Sequence, residues 1–325
     1  MSNYDAEIKV VSILMAVYHP NIEWLMKQLL SLNNQDYLAI ELIIWDDCPE
    51  YPVDENIIKE YITKFPCQIV RGEKNLGSNL VFENLTSLAT GSYIAYCDQD
   101  DIWLPNKVST MVRTLEEKNA ALVCCDQYII DENGKRIADT ITAIRKRHVF
   151  HSGKGVAKYL ISDNFVTGCA SLLPTWIAKK AIPFESVFVH DQWIALVAAL
   201  EGTIVVTEVP LIEYRQHSNN QTGILTGVFD KETYFDLRIE YFLKRAIALQ
   251  RRMGNVKEIA HEIQQYENWM QARKCYFTKP NWRSLHQMIR GKSYGRQTVL
   301  LEALLPIIPN KIFGWIINLT KKGVL

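Results

Sequence analysis

The chain has 325 residues, room for one large domain with an appendage or for two modest ones, and 48% of them are hydrophobic against 22% charged. That ratio supports a sizeable buried core and excludes wholesale disorder. Thirty-six Lys and Arg balance 36 Asp and Glu, so the basic excess of a general nucleic-acid binder is absent and nucleic acid is not an expected partner.

Seven cysteines are present, an odd number with no C-x-x-C pair, and most sit in apolar runs such as AALVCCD. A cysteine in that setting behaves as a small hydrophobe, and the count fits a reducing compartment. The opening MSNYDAEIKV lacks the charged start and apolar stretch of a secretory signal, so the expected location is cytoplasmic.

The first element is Val10 to Tyr18 (VVSILMAVY), a nearly continuous apolar run rich in β-branched residues. It reads as a strand buried on both faces of a parallel sheet. After His19-Pro20-Asn21, a turn signal, apolar residues at Ile22, Leu25, Met26, Leu29 and Leu30 recur at helical spacing up to Asn33. IELIIWDD is a second buried strand ending in acid; ENIIKEYITKF and CQIVRG repeat the helix–strand step. Leu80 to Ala89 reads as a helix, and SYIAYCDQDD as a strand ending in a burst of carboxylates. Alternation of this kind predicts an α/β fold with a mostly parallel sheet. Ligands gather at the carboxyl ends of strands in such sheets, where Asp46-Asp47 and Asp98 to Asp101 both fall.

A helix follows from about Pro105 to Lys118, then the strand AALVCCDQYIID and a turn at Glu132-Asn133-Gly134. The basic run Arg145 to His148 lies in a loop. A helix opens near His190-Asp191 and ends at Gly202, and TIVVTEVPLIEYRQH is read as one strand. Beyond residue 228 the pattern is helical, which divides the chain into a domain over 1–227 and a helical region over 228–325.

Aspartates two apart on a turn, as in Asp98-Gln99-Asp100-Asp101, offer hard oxygen ligands that suit Mg2+ or Mn2+ together with substrate phosphates. The alternative is a solvated acidic loop before Pro105. Asp47 could accept hydrogen bonds from a pyrimidine ring or merely shape a turn. Asp191 could serve as a general base or as an ordinary helix cap; a helix N-terminus stabilises its anion and weakens it as a base. His217 could complete a metal's coordination and Arg215 could meet a phosphate, or both could be plain loop residues.

In order, these segments resemble the family-2 glycosyltransferases with the GT-A fold. VSILMAVYHP is similar to that family's opening strand, IELIIWDDCPE to its second acidic strand, and EKNLGSNLVFENL to its N-x-G loop. DQDD-x-W-x-P-x-K is the most specific match; HDQW resembles the base motif and YRQHSNN the late histidine. The resemblance spans residues 8 to 225. It implies a nucleotide-sugar donor, with Ala16, Tyr18, Asp47 and Asn75 at the nucleoside end and Asp98 near ribose or phosphate. It further implies Asp100 and His217 on the metal, Arg215 on phosphate, and Asp191 as the base of an inverting, single-displacement transfer. Two departures stand out: Cys48-Pro49 replaces the usual glycine and serine, and His190 replaces the acid before the base. Absence of Q-x-x-R-W implies non-processive addition. DQDDIWLPNK with HD-x-W and YRQH-x-NN most resembles the rhamnosyltransferase branch, implying dTDP-L-rhamnose and a cell-surface polysaccharide or lipid-linked glycan acceptor. A UDP-hexose donor, or a catalytically silent binding protein on the same fold, are the competing readings.

The stretch TVLLEALLPIIPNKIFGWIINLTKK is too interrupted to span a bilayer. Its Trp and Lys pattern suits a helix lying on a membrane surface; packing into a core or a homodimer contact is the other reading.

Overall fold

In a computed structural model of the chain, residues 8–217 and 227–321 are described. Ser218-Asn219-Asn220 of the YRQHSNN stretch and Lys322 lie outside them. Among the described residues the chain forms two compact units, one from 8–160 with 164–217 and the other from 161–163 with 227–321.

The first unit is built on eleven strands. They are β1 (Val11–Val17), β2 (Ile40–Asp46), β3 (Cys67–Arg71), β4 (Tyr93–Cys97), β5 (Ile102–Trp103), β6 (Leu122–Cys125), β7 (Tyr128–Ile130), β8 (Arg136–Ala138), β9 (Ser171–Pro174), β10 (Ile204–Thr207) and β11 (Ile212–Arg215). Seven form the central sheet in the order β10-β6-β9-β4-β1-β2-β3. Only β9 runs antiparallel in it, against β4 and β6. β1 lies in the middle, and its Val11, Ile13, Leu14 and Met15 are fully buried, as a two-faced apolar strand requires. Helix α1 (Ile22–Asn33) starts where the Asn21 side chain accepts from the Trp24 amide, and it buries Leu25, Leu29 and Leu32 against the sheet. Each such leucine contributes about 2 kcal/mol by leaving water.

A second, four-stranded sheet has the order β5-β11-β7-β8. Its origin corrects two single-strand expectations. The run read as one strand from AALV to YIID breaks at Asp126-Gln127 into β6 and β7, and the run from TIVV to YRQH breaks around Pro210 into β10 and β11. β6 pairs with β10 in the large sheet, and β7 with β11 in the small one, both in parallel. Proline cannot donate to a ladder. The Asp126 carboxylate turns aside to the Gln127 and Ile141 amides, so the two chains leave the large sheet together.

The second unit is helical. Its longest helix, Ala260–Thr278, carries Arg273, whose Nε and Nη2 donate to the Glu302 carboxylate at 2.8 and 2.5 Å. Tyr234 donates to the same carboxylate at 2.9 Å, and Glu302 is 1% exposed. Removing one partner of a buried pair leaves the other charge uncompensated. Glu302→Ala is therefore expected to destabilise this unit by about 3–5 kcal/mol in urea unfolding, whereas Arg273→Met with Glu302→Leu should recover most of that loss. A single-mutant cost below about 1 kcal/mol would show that the pair is not a buried charge pair.

Candidate active site

The site is assembled where β1, β2 and β4 end side by side. β1 pairs in parallel with both β2 and β4, so the residues after Val17, Asp46 and Cys97 emerge at one edge of the sheet.

After β2, Asp47 is buried and its carboxylate accepts from the amides of Leu76 at 2.9 Å and Gly77 at 2.9 Å. Those residues enter helix α2 (Ser78–Leu88), and Gly77 has φ +78, a left-handed conformation that favours glycine. Asp47 thus shapes the loop that contains Asn75, a further candidate donor-binding residue. Asp46, beside it, accepts from the Cys48 and Val53 amides and from Arg71, which fixes the CPEYPV turn. Tyr18 is exposed on its ring side while its main chain is held at both ends by one side chain: the Tyr18 amide donates to Gln99 Oε1 at 2.8 Å, and Gln99 Nε2 donates to the Tyr18 carbonyl at 3.0 Å. Ala16, on β1, is half-buried. Gln99 was legible only as filler between two aspartates, yet it ties the first loop to the acidic one.

The acidic loop itself divides its carboxylates between two settings. Asp100 Oδ2 meets His217 Nε2 at 2.9 Å, and the His217 ring lies 5.0 Å from that of Trp24. Antiparallel pairing of β5 with β11 makes this contact, since it runs the DQDD segment beside the YRQH segment. Asp98, Asp101 and Cys169 bring one ligand atom each to within 4.8 Å of one another. Burial, then the neighbouring Asp100, pushes the Asp98 carboxyl up to about 7, and the same two causes hold Asp101 well above the carboxylate range. Asp101 Oδ1 accepts from the Arg215 amide at 2.9 Å, and the Cys169 thiol lies beside the Asp101 carboxylate.

Arg215, which the sequence offered as a residue that could meet a phosphate, lies against the main chain of the acidic loop. It is fully buried, its Nε donates to the Asp100 carbonyl at 2.8 Å and its Nη1 to the Asp131 carbonyl at 3.0 Å. Its guanidinium braces the acidic loop from behind. Lys107 is likewise 0% exposed, with Nζ over the Trp103 indole, and burial lowers its ammonium to about 8.

For a divalent cation the donor chemistry is mixed. Carboxylate oxygens with one imidazole nitrogen, the Asp98, Asp100 and His217 set, suit Mg2+ or Mn2+. Burial raises the Cys169 thiol well above its usual range, so it stays protonated and is a poor partner for a hard ion. The Asp98 and Asp101 carboxylates converge on the same loop. The residues fit the ion, with Asp100 and His217 as the better-suited pair.

Asp191 is the second residue of the helix His190–Glu201, so it is not the N-cap, which is Val189. Its Oδ1 accepts from Asn164 Nδ2 at 3.0 Å and from the Gln192 amide at 2.6 Å, and its Oδ2 from the Gly168 amide at 3.3 Å. Burial nonetheless pushes its carboxyl up to about 6. The Asp191 charge also raises the Asp98 carboxyl, so Asp191 and the acidic loop share one electrostatic environment. His190 stacks on Phe82 with ring centroids 4.1 Å apart, and burial lowers its imidazole to about 3, so it is neutral. A Cβ on Gly168 would lie 2.8 Å from His190 Nε2. Asn164 and Gly168 had no sequence signal, since neither belongs to a motif with a spacing to read.

Residues 12–178 match the family model described as glycosyl transferase family 2. An uncharacterized glycosyltransferase of Methanocaldococcus jannaschii is 28% identical over 212 residues, which is 63% of this chain and 70% of the relative. Another, from Nostoc, is 25% identical and covers 71% of this chain and 72% of its own length. Among solved structures, S. aureus TarS residues 1–349 in complex with UDP-GlcNAc superposes with a TM-score of 0.59 at 14% identity, covering 97% of this chain and 92% of that one. The mannosyltransferase PcManGT of Pyrobaculum calidifontis, in complex with GDP-Man and Mn2+, gives 0.56 at 10% identity, with 98% and 88% covered. Those two likenesses speak for the GT-A fold. The family match fills more than half of the chain and ends beyond β9, so the acidic loop and the strands that carry it lie within it: the protein belongs to glycosyl transferase family 2 and is a glycosyltransferase.

Proposed function

We propose that the protein is an inverting, non-processive, metal-dependent transferase that moves one sugar from a nucleotide donor to a glycan acceptor. The observation that carries this reading is the division of labour between two half-buried acids. Asp100 stands paired with His217 at 2.9 Å, while Asp191 is held apart on three donors with its carboxyl raised to about 6. Two carboxylate environments tuned differently suit two roles.

The donor diphosphate would lie against Asp98, Asp100 and His217, with the nucleoside toward Tyr18, Asp47 and the Asn75 loop. A bound Mg2+ or Mn2+ would neutralise charge on the departing diphosphate. Asp191 takes the proton of an acceptor hydroxyl. That oxygen forms a bond to the anomeric carbon from the face opposite the diphosphate, and the carbon–oxygen bond to phosphate breaks with its electron pair leaving on the nucleoside diphosphate. One displacement inverts the configuration. Arg215 and Gln99 hold the acidic loop in place without touching the reacting atoms.

The DQDDIWLPNK, HD-x-W and YRQH resemblance supports dTDP-L-rhamnose as donor and a cell-surface polysaccharide or lipid-linked glycan as acceptor. A UDP-hexose is the second reading, supported by the UDP-GlcNAc held by TarS. Nucleoside diphosphate release from a donor panel, with and without Mn2+, separates them: release of dTDP from dTDP-L-rhamnose alone supports the first, and release of UDP from a UDP-hexose replaces it. Donor binding with no release, even with glycan acceptors supplied, would sink the transferase reading in favour of a binding protein.

Asp191→Asn should lower turnover by about a hundredfold or more, the usual contribution of a general base, with donor affinity within about threefold of wild type. Unchanged turnover would remove Asp191 from the role. Because an ionised Asp191 is the proton acceptor and its carboxyl is raised to about 6, kcat/KM measured with saturating cation should rise with pH and level off above about 6. An acid limb near 4 would contradict the buried environment. Asp100→Ala is expected to weaken Mn2+-dependent donor binding about tenfold or more while leaving metal-free binding nearly untouched; equal loss in both would assign Asp100 to the fold instead.

A further inference from the structure

The helical unit carries a charge and an apolar exposure that the transfer reaction does not use. From residue 279 to the end of the sequence there are eight lysines and arginines and a single acid, Glu302. Glu302 is buried and bonded to Arg273 and Tyr234, so it lends nothing to the surface. Lys279, Arg283, Arg290, Lys292 and Lys311 are exposed. The whole chain has a formal charge of zero, so this excess is balanced by acid elsewhere and marks one region.

The same region leaves large apolar side chains in water. The helix Asn310–Lys321 buries Phe313 and Ile317, one turn apart, in a core with Tyr234 and Leu305. A second stripe on that helix, Ile312 and Trp315, remains exposed, Trp315 at 63%. The helix Arg296–Leu304 repeats the pattern: Val299 is buried while Leu300, at 64%, and Leu304, four residues on, are exposed, and Ile307 follows in the turn. Packing inside the unit therefore accounts for one face of each helix and not the other. No helix among the described residues is long and apolar enough to cross a membrane.

Exposed Trp and Leu interleaved with cations, on helices too short to span, are the features of a surface that lies in a lipid headgroup layer. A second copy of this face would bring like charges together, and a soluble polyanion would leave Trp315, Leu300 and Leu304 in water. We infer that the C-terminal helical unit docks peripherally on bilayers rich in anionic lipid. The inference rests on the surface of this unit and goes beyond the reaction proposed above.

Sedimentation of the full chain with vesicles tests it. Phosphatidylcholine vesicles containing phosphatidylglycerol should capture the protein about tenfold better than phosphatidylcholine alone, and high salt should release it. Leu304→Ser with Trp315→Ser, both at exposed positions, should cut capture about tenfold with an unchanged thermal midpoint, and Lys311→Glu should weaken it in low salt only. Equal capture by both vesicle types, or by neither, overturns the inference. So does a concentration-dependent dimer abolished by Leu304→Ser with Trp315→Ser, which assigns the face to a second copy. Capture by heparin beads that the same double variant leaves intact, without vesicle binding, assigns it to a soluble polyanion.

Discussion

Burial of carboxylates around the end of β4 disfavours their ionised forms, and Asp98, Asp101 and Asp191 all sit above the ordinary carboxylate range chiefly for that reason, with the neighbouring Asp100 adding to it for Asp98 and Asp101. Much of the first unit is arranged to hold them there. At an effective dielectric constant of about 20, two like charges 4 Å apart repel by roughly 4 kcal/mol. A single buried cation cannot offset several such terms; Lys107 lies beneath the cluster, among Cys97, Cys125 and Cys169, with its own charge weakened by burial. Arg215 donates from its guanidinium to the Asp100 and Asp131 main-chain carbonyls. The remaining imbalance is what a divalent ion and its diphosphate would meet: acids that bind a cation in preference to protons as pH rises.

The small sheet explains how His217 reaches Asp100 across 117 positions of sequence. β6 and β10 run together in the large sheet, then both chains swing out and run together again as β7 and β11. β11 then takes β5 as its other neighbour, which is the stretch directly after the acidic loop. Arg215 closes the arrangement: its amide donates to the Asp101 carboxylate, and its guanidinium donates to the Asp100 carbonyl and to the Asp131 carbonyl at the turn after β7. A second sheet of two- to four-residue strands thus does what one loop could not, holding a histidine and an aspartate at hydrogen-bond distance.

The parts of this design that were legible in the sequence are those with a period or a spacing. β1 could be read because seven consecutive positions face a core on both sides, and the acidic loops because strand ends are where such sheets bind ligands. The split of two long apolar runs into four strands was not legible, since periodicity reports burial and not which sheet supplies it. β9 was missed for the same reason: SLLP is too short to show a period, and its antiparallel place between β4 and β6 is a fact of topology. The main-chain contacts of Arg215 were not legible because a cation beside a predicted phosphate site looks the same in sequence whether it faces the ligand or the backbone. Gln99, Asn164 and Gly168 act through amides and carbonyls that only the folded chain brings near.

Asp191 poses a contest between two effects that the sequence raised and magnitudes can settle. Near a helix N-terminus the dipole favours the anion by about 0.3–1 kcal/mol, up to about 2 in partly buried geometry, which would lower the carboxyl and dull it as a base. Three donated hydrogen bonds act in the same direction. Yet the carboxyl is raised from 3.8 to about 6, a net change of roughly 3 kcal/mol upward, so desolvation exceeds both together. The neutral His190 contributes to that result. A carboxylate at this position would add a second negative charge beside the base, whereas an imidazole stacked on Phe82 adds apolar wall and no charge. The tight approach of Gly168 to His190 Nε2 keeps that wall closed and aims the Gly168 amide at Asp191 in one stroke. The result is a carboxyl whose proton affinity lies near neutral pH, which for the general-base role proposed for Asp191 is the best compromise between availability and strength.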